Sequence, residues 1–210
     1  MGAVSGGGRR CVLSLTRVET HKTELRVVET FERLLAKKSF RDISISQICE
    51  EAGISRATFY YHFSDKYAIS QWYYGIVAEM YLFQTGRTLT WFQANYLNTA
   101  ELAKHETLYR WCFNMSGYDS LFEHAKRRRI ETLQETIVEY KHAKLSTELE
   151  FQIISLADAE VGGISRWFKD GMPYDVRQLC LYLDNIVPRQ LYRLLNKPVD
   201  ETLQPLLKTP

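Results

Sequence analysis

The stretch SISQICEEAGISRATFYYHFSDK, Ser44 to Lys66, decides the fold. Ser44 and Gln47 stand three apart at the head of an apolar run, the S-x-x-Q capping box that satisfies orphan amides at a helix start. Ile45, Ile48 and Cys49 then fall on one side of a short helix, which EAG closes. Gly53 suits a tight turn needing positive φ, and Ser55 is placed to cap a further helix of about seven residues. Ser64 and Asp65 are placed to cap the next.

Working outward, the upstream segment predicts a first helix over about Thr20 to Lys38, with Leu25, Val28, Phe31, Leu34 and Leu35 on one stripe. Lys37 and Lys38 fall in its last turn, where cations suit the helix dipole. Helix, short helix, glycine turn, short helix is the helix-turn-helix arrangement, whose second paired helix is offered to the DNA major groove. The glycines at 2 and 6 to 8 and the lack of periodicity before about Thr16 predict a flexible arm over residues 1–19. Arg9, Arg10 and Arg17 in it could reach a DNA groove or belong to a disordered tail.

Beyond Ile69 the apolar spacing stays at three and four, and strand-like alternation is scarce, so the chain reads as all-α. Aromatic residues crowd Trp72 to Phe122. A long helix is predicted from Ser120 to His142, with Leu121, Ala125, Leu133, Ile137 and Tyr140 inward. Two amphipathic helices close the chain. One carries Ile153, Ile154, Ala157, Val161, Ile164 and Phe168; the other, after DGMPYD, carries Leu179, Leu183, Ile186, Val187, Leu191 and Leu194. The KRRR run from Lys126 to Arg129 steps about 100° per residue around its helix, so it reads as solvated rather than as a binding patch.

With 210 residues and 45% apolar content, the chain can bury a sizeable core. No stretch is apolar enough for a membrane helix, and the run after Arg9 and Arg10 is too short for a secretory signal. Cys11, Cys49, Cys112 and Cys180 form no CxxC pair, so no metal site or disulfide framework is expected, and reduced thiols suit a cytoplasmic protein. The net charge of +2 hides an asymmetry: residues 1–70 hold 11 Lys/Arg against 8 Asp/Glu, a net of +3, and the remainder 16 against 17, a net of −1. His62, His105, His124 and His142 belong to no Ser-His-Asp order, phosphate loop or H-E-x-x-H pair, so an enzyme is not expected, and no cofactor is implied.

FRDISISQICEEAGISRATFYYHFSDKYAI, Phe40 to Ile69, with the amphipathic helix before it, resembles the DNA-binding domain of TetR-family (tetracycline-repressor-like) transcriptional regulators. The resemblance covers about residues 20–70, through Gly53, Thr58, Tyr60, His62, Phe63 and Lys66. Ser39, Cys49 and Ile69 stand where the family often has glycine, alanine and leucine. The resemblance implies a three-helix DNA-binding domain over 20–66, a helical effector-binding and dimerisation domain over 67–197, and a tail over 198–210. It further implies a homodimer that binds a double-stranded palindromic operator and is released by a small-molecule effector. That makes the expected protein a repressor. An activator of the same fold, or a helix-turn-helix interaction module without a ligand, are the alternatives.

On this reading Arg56 reads guanine and Ala57 meets a thymine methyl. Ser46, Ser55, Thr58, Tyr60, Tyr61, His62 and Lys66 hold phosphates, which fix register. Tyr60 has a second reading as a core ring with its hydroxyl at the rim, and His62 one as a local structural hydrogen bond. Trp91, Phe92, Trp111 and Phe113, with Asn95, His105 and Asn114 nearby in sequence, are the candidate effector pocket; ordinary core packing is the alternative for each ring. The dimer seam is expected at Ala157, Val161, Gly162, Ile164, Phe168, Leu183, Ile186, Val187 and Leu191. Gly162 and Gly163 inside a helix each cost about 1 kcal/mol relative to alanine, which close approach of another helix would offset. A kink or a helix break there is the alternative.

Overall fold

The computed structural model describes residues 21–115, 117 and 120–196. The expected arm, including Arg9, Arg10 and Arg17, and the expected tail lie outside the described residues. Ten α-helices occur among the described residues, with no strand beyond one isolated bridge between Thr85 and Leu89. The chain divides into two compact units at Ile69 and Ser70.

In the first unit, helix α1 spans Lys22–Leu35 and buries Val27, Val28, Phe31, Leu34 and Leu35. It ends a turn earlier than the sequence predicts, because the amides of Lys37 and Lys38 both fold back onto the Leu34 carbonyl. Leu25 is only half-buried, and the inward positions a turn before Phe31 are Glu24, Val27 and Val28. A 3₁₀ turn, Phe40–Asp42, leads to α2, Ile45–Ala52. The capping box is present in full: the Ser44 hydroxyl accepts from the Gln47 amide at 3.2 Å, and the Gln47 side chain accepts from the Ser44 amide at 3.1 Å. Gly53 ends α2 at φ +65°, a left-handed conformation that glycine adopts without steric cost. Helix α3, Arg56–His62, starts at Ser55, whose hydroxyl accepts from the Thr58 amide at 2.9 Å. Asp65 then caps α4, Tyr67–Met80, by accepting from the Tyr67 and Ala68 amides. Phe31, Ile48, Phe59 and Ile69 are fully buried in this unit's core.

The second unit contains α5 (Trp91–Ala103), α6 (Glu106–Phe113), α7 (Leu121–Glu135), α8 (Thr147–Lys169), α9 (Val176–Asp184) and α10 (Arg189–Leu195). Thr90 and Gln93 form a second capping box at α5, and Ser120, Ser146 and Asp175 cap α7, α8 and α9. Helix α7 packs on α8, and α5 on α9. The long helix predicted to His142 instead passes at Thr136–Tyr140 into a π-helical turn. Tyr140, expected inward, is exposed there, with the Arg87 guanidinium 3.9 Å from its ring centre. The last predicted helix is two, because Pro188 supplies no amide and holds its predecessor out of helical geometry.

Helix α8 runs without a break through Gly162 and Gly163. A Cβ at Gly163 would lie 2.9 Å from the Leu183 Cδ2, so α9 itself makes the close approach; a Cβ at Gly162 would meet nothing within 4 Å.

The KRRR run is solvated only in part. Arg129 is 2% exposed and fully engaged: Nε and Nη2 donate to the two Glu160 oxygens at 2.6 and 2.8 Å, and Nη1 to the Thr85 hydroxyl at 3.2 Å. Asn95 adds a donor to Glu160 at 3.2 Å. Lys126 reaches Asp158 and Glu123 at the surface. Among the described residues, no helix is long and apolar enough to cross a membrane.

Candidate DNA interface

The glycine turn and the Ser55 cap place α3 with one face in the core and the other outside. Phe59 is fully buried, whereas Ser55, Arg56, Ala57, Tyr60 and Tyr61 are exposed and Thr58 half-exposed. Phe59 thus anchors the helix while its neighbours remain on the surface.

Three of the expected contact residues come together around one guanidinium. Arg56 Nη1 donates to the Ser46 hydroxyl at 2.7 Å, Nη2 donates to the Tyr60 hydroxyl at 3.4 Å, and the Tyr60 ring lies beneath at 5.8 Å. Ser46 sits in the first turn of α2, so both helices of the motif hold Arg56. Holding a long side chain in one rotamer removes part of the entropy it would lose on binding. The buried Cys49 thiol has its pKa raised by burial, with the Arg56 charge pulling the other way. The Ser55 and Thr58 hydroxyls bond each other at 2.8 Å. Tyr61, at 85% exposure, is the most open large hydrophobic side chain among the described residues of the unit, edge-on to the His62 ring.

His62 and Lys66 are engaged inside the unit. His62 Nδ1 lies 3.2 Å from Glu24 Oε1, and His21 Nδ1 reaches the same oxygen at 3.2 Å. The end of α3 is thereby tied to the start of α1. Lys66 Nζ donates to the Phe40 carbonyl at 2.6 Å and the Ile43 carbonyl at 2.8 Å, with its charge 4.5 Å from the Phe40 ring centre. Burial lowers the pKa of this ammonium, and Asp42 opposes the shift. Lys66 therefore closes the 3₁₀ turn from outside. Glu24 was missed by sequence reasoning, yet its spacing from Val27, Val28 and Phe31 puts a carboxylate on the inward stripe, which is the signal that could have found it.

The other expected sites lie in the second unit. Trp91 and Phe113 are buried, Phe92 is half-buried and stacked on Tyr96, and Trp111 is 37% exposed, so the four rings do not share one environment. Phe113 packs against Tyr109 and Phe168 as core. Of the expected seam, Ala157, Val161, Ile164, Phe168, Leu183 and Leu191 are buried within the chain's own interior. Their apolar stripe is used to hold α8, α9 and α10 to the rest of the unit. Ile186 is exposed, and Gly162 and Val187 half-exposed. The exposed apolar side chains of these helices include Phe151, Ile154, Tyr182 and Tyr192.

A capped, glycine-turned helix pair with one arginine held on its outer face is the helix-turn-helix arrangement. Residues 28–71 match the family model described as bacterial regulatory proteins, tetR family. Over this segment, about a fifth of its length, the chain is similar to that family. The HTH-type transcriptional regulator EthR of Mycolicibacterium smegmatis is 44% identical over 46 residues, which is 22% of this chain and 21% of that protein. The uncharacterized HTH-type transcriptional regulator YerO of Bacillus subtilis is 46% identical over 44 residues, 21% of this chain and 15% of that one. The chain thus spans about a fifth of the curated relatives it matches. Among solved structures, the dihydroxyacetone kinase operon activator DhaS superimposes with a TM-score of 0.62 at 18% identity, covering 82% of this chain and 98% of that one, and so shares the fold.

Proposed function

We propose that this protein is a sequence-specific transcriptional regulator: a homodimer that grips a pseudo-palindromic operator and is released from it by a small-molecule effector, and so acts as a repressor. The observation that carries the reading is Arg56, exposed on α3 yet held by Ser46 and Tyr60. A fixed guanidinium can donate two bonds to guanine O6 and N7, worth about 1 to 3 kcal/mol of discrimination. Ala57 beside it meets a thymine methyl. Ser46, Ser55, Thr58, Tyr60 and Tyr61 take phosphates. His62 sets the pitch of α3 through Glu24, and Lys66 supports the turn through the Phe40 and Ile43 carbonyls.

Two copies of α3 held about 34 Å apart would read successive turns of one face of the duplex. Phe151, Ile154, Tyr182, Ile186 and Tyr192 give a second copy apolar surface to cover, with Gly162 letting helices approach. The second unit receives the effector. An effector that binds a differently spaced dimer better must release DNA, and DNA must weaken effector binding by the same factor. The fold shared with an operon activator keeps activation as the second reading. The protein is cytoplasmic and is not an enzyme.

The test is selection from a random duplex pool at fixed salt, followed by a reporter carrying the selected site. A two-fold pseudo-palindrome whose enrichment disappears in Arg56→Ala is the expected result, with reporter output falling when the protein is made. Rising output would replace the repressor with an activator. Weak binding common to all sequences would leave only a helix-turn-helix interaction module.

A further inference from the structure

On the buried face of α5, Trp91, Asn95, Asn98 and Leu102 follow at spacings of four, three and four, and each is 1% exposed or less. That spacing aligns all four on one side of the helix. Asn95 is satisfied, donating to the Trp91 carbonyl at 3.0 Å and to Glu160 at 3.2 Å. Asn98 is not: neither its Nδ2 nor its Oδ1 has a partner within the chain, and the same holds for Trp91 Nε1. A buried polar group left unpaired costs about 1 to 3 kcal/mol, and a leucine at position 98 would incur no such cost. Three unsatisfied atoms, two turns apart on one interior face, therefore call for a partner that arrives from outside the chain.

We propose that Asn98, with Trp91 Nε1, is the reading group of a ligand site that takes a small uncharged molecule bearing a carboxamide or lactam on an apolar body. The inference rests on the second unit's being the one that receives the effector, and it names that effector's chemical class. A primary amide offers a donor and an acceptor side by side, and its complement is another amide edge, which returns one of each. Trp91 Nε1 supplies one further donor for a second acceptor oxygen. The ligand is uncharged because the buried Arg129–Glu160 pair, which Asn95 touches, is bonded to itself and offers it no counter-ion. Its body is apolar because the Trp91 ring and Leu102 flank the amide along the helix.

The experiment uses the full chain and two probes, benzamide and 2-piperidone, with toluene and benzoate as controls. Binding is read by the side-chain NH₂ signals of Asn98 in a ¹⁵N-correlated spectrum and by the thermal midpoint. The expected result is that an amide probe moves the Asn98 signals and raises the midpoint while both controls do neither. In Asn98→Leu, amide affinity falls by about tenfold or more. Trp91→Phe, which removes the indole N–H together with part of the ring, weakens amide binding more than it weakens toluene binding, and that difference serves alone if the leucine variant does not fold.

The inference is overturned if neither amide moves the Asn98 signals, if Asn98→Leu binds them undiminished, or if toluene binds as well as benzamide. Unmoved signals with cross-peaks from the Asn98 NH₂ to a long-lived water would assign the orphan atoms to buried solvent. Operator selection is scored separately. Amide binding without operator enrichment would sink the regulator reading alone, and enrichment with a silent amide arm would sink this inference alone.

Discussion

Replacing Lys66 by methionine tests whether its ammonium serves the fold or the DNA. Methionine keeps the length and apolar stem while deleting the charge. Two charge-assisted bonds, to the carbonyls of Phe40 and Ile43, disappear, along with the cation's contact with the Phe40 ring. Bonds to a charged group are worth about 1.5 to 3 kcal/mol each when shielded. Lys66 is half-exposed, so water recovers part of the loss, and about 2 to 3 kcal/mol for the pair is the working figure. Because all four tryptophans lie beyond residue 70, the assay is amide hydrogen exchange resolved over residues 40–69. Protection there should fall by about thirtyfold to a hundredfold, which is that free energy divided by 1.4 kcal/mol per decade. The salt dependence of DNA affinity should change little. The reasoning is refuted if protection is untouched while the slope of log K against log salt shrinks by about 0.9, the signature of one lost phosphate contact.

Removing one partner of the Arg129 and Glu160 pair, by Glu160→Ala, should cost about 3 to 5 kcal/mol in denaturant unfolding, because it strands a buried guanidinium; a variant within 1 kcal/mol of the parent would contradict the burial. Gly53→Ala should cost about 1 to 2 kcal/mol, since the added Cβ meets no atom and only the left-handed backbone resists, and Gly53→Asn should cost less. Equal losses in thermal unfolding would point to a clash instead. His124 has its pKa lowered from 6.5, first by burial and then by Arg127 and Arg128. The unfolded chain therefore binds the proton more readily, and stability present above pH 6.5 declines as pH falls toward the folded value. His124→Gln should flatten that decline in unfolding curves taken across the window.

What was legible in the sequence is what neighbouring residues decide. The capping box at Ser44 and Gln47, the Ser55 cap and the Gly53 turn are set by residues within four positions, and so the paired helices could be read directly. Chain breaks were half-legible. Pro188 carries its own reason for splitting the last helix, but the expected stripe ran across it because Leu179 and Leu183 before it and Leu191 after it are buried, while the expected Leu194 is half-buried and Leu195 takes the inward place. Lys66 finds carbonyls 23 and 26 residues earlier, and no periodicity reports such a pairing.

The buried charges are a different case. Arg129 stands four residues after Ala125 and four before Leu133, and Glu160 stands three after Ala157 and four before Ile164. Each is a charge on an apolar stripe, and two opposite charges so placed imply one another, because neither is tolerable alone in an interior. The run of four basic residues concealed this: judged as a patch it disperses around the helix, whereas judged position by position one member must face inward. Asn95 and Asn98 repeat the pattern between Trp91 and Leu102, with one amide consumed by Glu160 and the other left open. Polar residues in inward register thus separate into those that the fold pairs and those that it leaves unpaired, and only three-dimensional partners distinguish the two.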